Sequence, residues 1–203
     1  MIMNVLAVLL IWAIVSGLIA MWSQTPKQLK FIQNYPFHPG IKANLSKRHP
    51  DFTGEQVEQV FQGLRDYFYA CQKANGSMVA MPSRIVDDAW HEFILYTREY
   101  ERFCKQAFNR FLHHNPSDGM KSNSSVPESL KRAWRFSCEQ VGMEPQKATS
   151  LPLLFALDTL FEIPDGFKYS FDCISKNDGY CVSDFNCGGG GCGGGCGGCG
   201  GGC

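Results

Sequence analysis

The chain has 203 residues, with nineteen Lys and Arg residues, nineteen Asp and Glu residues and a formal net charge of zero. Nucleic-acid-binding domains normally carry a basic excess on one face, so this balance argues against a nucleic-acid partner. Roughly 160 residues lie between the apolar N-terminus and the glycine-rich C-terminus, a length that suits one domain.

The N-terminus is one apolar stretch, because residues 5–22 contain no charged side chain. As a helix this stretch would span roughly 27 Å, close to the ~30 Å hydrocarbon core of a bilayer. The alternative is a cleaved signal peptide, which needs basic residues first and small residues at the cleavage site. Residues 1–4 contain no Lys or Arg, and Ala20-Met21-Trp22 is a poor cleavage site. We therefore predict an uncleaved transmembrane helix at residues 1–22.

The charges that flank this stretch predict its orientation. The basic residues nearest to it all follow it, namely Lys27, Lys30, Lys42, Lys47 and Arg48. Because positive charge favours the cytoplasmic side, we predict a single-pass membrane protein whose C-terminal domain is cytoplasmic. Thiols stay reduced in the cytoplasm, so the ten cysteines are predicted to be free thiols or metal ligands instead of a disulfide framework.

Residues 23–52 are predicted to be a linker. Residues 34–50 contain three prolines and one glycine, which disfavour a long helix or strand. His38 and His49 lie in this segment without partners at ligand spacing, so we interpret them as solvated loop residues.

Residues 53–186 predict a compact domain of mostly α class. In the first helix, at about 54–73, apolar residues recur every three or four positions, and Thr53 with Gln56 forms a capping box. Ser83 is the predicted N-cap of a second helix, at about 84–96.

Thr97 followed by Glu99 indicates a break and the start of a third helix that runs to about Phe111. Two later helices are predicted at about 127–141 and 152–161. Residues 166–187 show no clear helical or strand periodicity.

The C-terminal segment, residues 187–203, contains only glycine and cysteine. Such a composition cannot build a core, so we predict a disordered low-complexity tail. Its thiols could bind a soft metal ion, act as redox thiols or form cross-links, or the tail could be an incidental extension. The tail thiols are Cys187, Cys192, Cys196, Cys199 and Cys203.

Metal-ligand residue types concentrate between residues 86 and 116. Asp87 and His91 are four residues apart, so they share one face of the second helix. The other possible ligands in this region are Cys104, His113 and His114. Cys104 can approach His91 only if the chain turns near Thr97, and no zinc-finger spacing is present.

These residues allow three interpretations. A mixed set of imidazole, thiolate and carboxylate ligands suits Zn²⁺ best, with iron or copper as alternatives. In a purely structural interpretation, which needs no cofactor, His91 is bonded to Asp87 and Cys104 is a buried thiol. Catalysis without a metal is the third interpretation, but neither Ser83 nor Cys104 lies in a nucleophile motif, so we assign no catalytic residue.

Four segments, DDAWHEF, YERFC, FLHHNP and LPLLFALD, resemble the glycine-rich domain-containing protein-like family of plants and bacteria, over residues 53–165. The residues that match its pattern are Asp87, Trp90, His91, Tyr100, Cys104 and His114, with His113 as an alternative to His114. Phe93 stands where that family often has a second histidine. The resemblance implies no established reaction.

The sequence therefore predicts a membrane-anchored binding or accessory protein, and metal binding through a His/Cys/Asp site is one function that it allows. A metal-dependent enzyme centred on His91 is one alternative. A structural or interaction domain with a metal-binding thiol tail is the other.

Overall fold

The computed structural model describes residues 12, 25–114, 127–171 and 179–185. The described part is mostly helical, which confirms the predicted fold class of the domain. Its α-helices are α1 (25–33), α2 (Pro39–Arg48), α3 (Gly54–Lys73), α4 (Arg84–Leu95), α5 (Thr97–Phe108), α6 (Glu128–Gln140) and α7 (Leu153–Leu160). Two short parallel strands, β1 (Tyr169–Ser170) and β2 (Tyr180–Cys181), and the 3-10 helices Pro145–Lys147 and Val182–Phe185 complete it.

Helix α3 is central to the core, because α2, α4, α6 and α7 all pack against it. The predicted capping box at Thr53 and Gln56 is present at its start. Gly63 permits a close approach in its middle. A Cβ atom there would lie 2.5 Å from Leu157 Cδ1 and 2.9 Å from Val86 Cγ2. The close packing of α4 and α7 against α3 therefore requires glycine at this position.

The chain turns between α4 and α5, as the sequence predicted. Helix α4 ends at Leu95, and α5 begins at Thr97. Helix α5 ends at Phe108, earlier than predicted, because Asn109 adopts a left-handed conformation with φ of 56°. This turn directs residues 111–114 back towards α4.

The segment predicted as a linker, residues 23–52, instead contributes to the core. It carries α1 and α2, and Ile32, Ile41 and Leu45 are fully buried. The prediction was wrong because it read proline as a sign of a loop. Pro39 lies at the start of α2, where its missing N–H costs nothing. The His38 side chain accepts a hydrogen bond from the Gly40 N–H, so His38 is a helix cap and not a free loop residue.

The predicted transmembrane helix, apart from Trp12, lies outside the described residues, as does the tail at 187–203. Within the part of the chain that is described, no helix is long and apolar enough to cross a membrane.

The start of α4 is held by a distant carboxylate. Asp158 of α7 is 3 % exposed. It accepts hydrogen bonds from the Ser83 hydroxyl at 2.7 Å and from the backbone N–H groups of Arg84 at 2.7 Å, Ile85 at 3.1 Å and Phe167 at 2.8 Å. The bonds from Arg84 and Ile85 satisfy N–H groups that a helix start leaves unpaired, and the four bonds together fix the direction in which α4 leaves the core.

Candidate metal centre

Three possible ligands meet beside α4. Asp87 and His91 lie one turn apart on this helix, and His114 comes from the segment that follows α5. Asp87 Oδ1 lies 2.8 Å from His114 Nε2, and Asp87 Oδ2 lies 3.7 Å from His91 Nδ1. The two imidazole rings have centroids 4.4 Å apart. One ligand atom from each residue therefore lies within 4.8 Å of the other two.

These separations are compatible with one metal ion. Zn²⁺ binds nitrogen and oxygen at about 2.0–2.2 Å, so tetrahedral ligands lie about 3.4 Å apart. The observed distances of 2.8 and 3.7 Å fall on either side of that value. The Asp87 and His114 side chains are 13 % and 10 % exposed, whereas that of His91 is 45 % exposed. The centre is therefore protected on one side and open on the other.

Trp90 and Tyr100 position the segment that carries His114. The Trp90 indole donates a hydrogen bond to the Tyr100 hydroxyl at 3.1 Å, which donates to the Leu112 carbonyl at 2.5 Å. The Trp90 ring also packs edge-on against His114, with centroids 4.3 Å apart. Burial raises the pKa of Tyr100, so its hydroxyl keeps the proton that it donates.

Cys104 and His113, two of the predicted ligands, lie outside this group of three. Cys104 is 1 % exposed and lies within the hydrophobic core. Burial raises the pKa of its thiol, which favours the protonated form over a metal-binding thiolate. His113 is exposed and contacts the ring of Phe111.

The family model described as UCP032817-like matches residues 27–189, most of the chain. The chain belongs to the UCP032817-like family. No curated protein and no solved structure matches the chain.

Membership of the UCP032817-like family corrects the resemblance to the glycine-rich domain-containing protein-like family, which is wrong. That resemblance used short segments within residues 53–165 and a glycine-rich tail. A tail of two residue types says little about the folded domain beside it. The matched region begins at residue 27 and so includes α1 and α2, which the resemblance left out.

Phe93 is not a lost ligand in this UCP032817-like domain. It is fully buried and packs against Tyr35, Phe37 and Phe103. Two residues correspond to about 200° around a helix, so a side chain at position 93 points away from the His91 face. Helical periodicity alone could have shown this.

The four cysteines that the structure describes fall into two groups. Cys71, Cys104 and Cys138 are free and buried, and burial raises the pKa of Cys71 and Cys138 to about 12. Cys181 is in a disulfide bond. The prediction that the cysteines are free thiols or ligands is therefore wrong at Cys181.

If the three residues bind zinc, replacing Tyr100 with phenylalanine should weaken that binding without removing any of the three possible ligands. The change leaves the Trp90 N–H and the Leu112 carbonyl without their shared partner, and an unpaired buried polar group costs about 1–3 kcal/mol. We expect zinc affinity about tenfold below wild type, as for other groups that orient ligands. Competition titration against a chromophoric zinc chelator measures this. Tyr69→Phe is the control, because the Tyr69 hydroxyl has no hydrogen bond among the described residues. Equal zinc affinities for Tyr100→Phe and wild type would contradict the positioning role.

Proposed function

We propose that this protein is a membrane-tethered metal-binding protein in which Asp87, His91 and His114 hold one divalent transition-metal ion. The proposal rests on one observation. Three possible ligand atoms lie within 4.8 Å of one another, and they come from two separate segments of the chain. Zn²⁺ is the ion that this set suits best.

An ordinary ion pair explains this convergence less well. One carboxylate and one imidazole suffice for a structural pair, but here two imidazoles approach the same carboxylate. If both rings were protonated, they would repel each other at a centroid distance of 4.4 Å. A metal ion lets each ring present a lone pair, and the carboxylate offsets part of the ionic charge.

The surrounding residues support the same interpretation. Trp90 and Tyr100 do not belong to the ligand set, yet each contacts His114 or the segment before it. Metal-binding histidines usually need such neighbours, because affinity depends on how firmly the ring is oriented. The region thus contains both possible ligands and residues that hold one of them in place.

The competing function is a metalloenzyme centred on His91, and one observation favours it. Three protein ligands with an exposed side are typical of catalytic zinc sites, whereas structural zinc sites are closed by four protein ligands. Two imidazoles and one carboxylate also match the set that binds iron(II) in oxygenases. An exchangeable water on the bound metal would support this alternative.

Metal analysis of the full-length chain tests the proposed function. We expect about one zinc ion per chain after purification in detergent without chelators. Removing it with a chelator should lower the melting temperature, and adding Zn²⁺ should restore it, because a ligand that binds only the folded state stabilises that state. Mg²⁺ is the control ion, since it prefers all-oxygen sites. A chain that purifies without metal and shows no response to Zn²⁺, Fe²⁺ or Cu²⁺ would refute the proposal.

The membrane tether is the second part of the proposal. The uncharged stretch at residues 5–22 and the basic residues after it support a single span with the domain in the cytoplasm. The Cys181 disulfide weighs against that orientation, because disulfides persist mainly in oxidising compartments. The tail thiols remain a separate proposal, for soft-metal binding.

A further inference from the structure

A cavity of about 580 Å³ opens between α1, α3 and α6, and residues 25, 72, 73, 75, 135, 136 and 139 line it. The metal centre uses none of these residues. We propose that this cavity binds the phosphate group of an anionic phospholipid. The proposal rests on the membrane tether proposed above.

Two cations from different helices meet at this cavity. The Lys73 ammonium of α3 lies 5.8 Å from the centroid of the Phe136 ring, and the Arg135 guanidinium of α6 lies 4.7 Å from it. Lys73 also pairs with Glu139 at 3.4 Å. Among the described residues, no carboxylate forms an ion pair with Arg135. The cavity therefore keeps one exposed guanidinium whose charge is not compensated, and guanidinium is well suited to bidentate contact with phosphate.

The position of the cavity favours a lipid as the source of the phosphate. Thr25 lines it and follows the proposed span by three residues, so it lies no more than about 11 Å from the end of that span. The interfacial layer of a bilayer adds roughly 5–8 Å on each side of the hydrocarbon core. Lys27 and Lys30 are exposed on the next turns of α1. The cavity and these lysines would thus face headgroups.

The domain also holds α1 firmly in relation to the cavity. Gln72 of α3 donates a hydrogen bond to Gln28 of α1 at 2.8 Å, and Ile32 of α1 is fully buried. These contacts hold α1 at a fixed position relative to Arg135 and the rest of the cavity.

The test uses the full-length chain in vesicles of equal phosphatidylcholine and phosphatidylglycerol. Lipids that remain bound after mild detergent extraction are counted by native mass spectrometry. We expect wild type to retain phosphatidylglycerol preferentially, and Arg135→Gln to lower the ratio of phosphatidylglycerol to phosphatidylcholine about fivefold, the effect of one basic residue near an anionic surface. Arg98→Gln is the matched control, because it removes the same charge from the exposed side of α5, outside the cavity, and it should behave as wild type.

Three results would overturn the proposal, and they have different meanings. If carbonate extracts the full-length chain from vesicles, the tether fails and the lipid site fails with it. If the chain stays in the membrane but Arg135→Gln retains the wild-type lipid ratio, only the lipid site fails. If inorganic phosphate raises the melting temperature of lipid-free wild type but not of Arg135→Gln, and no lipid preference exists, the cavity binds free phosphate. Folding of Arg135→Gln is checked by its melting temperature without phosphate.

Discussion

Replacing His114 with alanine should lower zinc affinity by more than about a hundredfold, the upper end of what losing a ligand-orienting group costs. His114 is the proposed ligand that joins two segments of the chain, since Asp87 and His91 both lie on α4. Without it, a metal ion has one carboxylate and one half-exposed imidazole on a single helix face. Two such ligands leave Zn²⁺ mostly hydrated.

The neighbouring His113 provides a matched control. His113→Ala removes the same side chain one residue away, but His113 is exposed and lies outside the ligand group. We expect its zinc affinity to stay within about twofold of wild type, a change of less than about 0.5 kcal/mol. Metal content by mass spectrometry and a chelator competition titration give both values. If His113→Ala loses zinc and His114→Ala keeps it, the ligand assignment is wrong.

The break between α4 and α5 could be predicted from the sequence because its cause is local. A helix-poor threonine and a following glutamate mark a helix boundary, and α5 does begin at Thr97. The pairing of Asp87 with His91 was equally accessible, because a spacing of four residues places two side chains on one helix face. His114 was named as a possible ligand, but nothing local showed which of the two adjacent histidines turns inward.

That choice depends on contacts between distant residues. His114 packs against Trp90 and pairs with Asp87, and Asn109 must adopt a left-handed conformation to direct the chain there. Cys104, in contrast, was predicted to be a ligand but lies outside the group of three. A cysteine near histidines suggests a ligand, but this one is buried in the core. Burial follows from tertiary packing, so the pattern could not distinguish a ligand from a buried thiol.

The helices before α3 were missed for a related reason. Proline and glycine usually mark loops, and residues 34–50 contain several. Here Pro39 starts α2 instead of interrupting it, and Leu45 is fully buried. Whether a proline starts or ends a helix depends on the residues that the following turns can bury. The core that α2 joins is formed by later parts of the chain, chiefly α4.

Replacing Asp158 should have a large effect on the stability of the fold. We expect Asp158→Asn to lower the free energy of unfolding by about 3 kcal/mol, because each buried polar group that loses its partner costs about 1–3 kcal/mol. Both oxygens of Asp158 accept hydrogen bonds. Oδ1 accepts from Ser83 and Ile85, and Oδ2 accepts from Arg84 and Phe167. An asparagine amide can replace only one oxygen as an acceptor, and its NH₂ group would face at least one backbone N–H donor at the other, from Ile85 at Oδ1 or from Arg84 and Phe167 at Oδ2.

Urea denaturation of Asp158→Asn, Glu101→Gln and wild type measures this loss. Glu101→Gln is the matched control, because it also replaces a carboxylate with an amide but at an exposed position on α5, where we expect a change below about 0.5 kcal/mol. The Asp158 carboxylate also faces the start of α4, where negative charge is favoured, so part of the expected loss is electrostatic. An Asp158→Asn chain as stable as Glu101→Gln would show that neither the hydrogen bonds nor the charge at Asp158 stabilises the start of α4. The fixed start of α4 would then no longer explain how Asp87 and His91 are held towards His114.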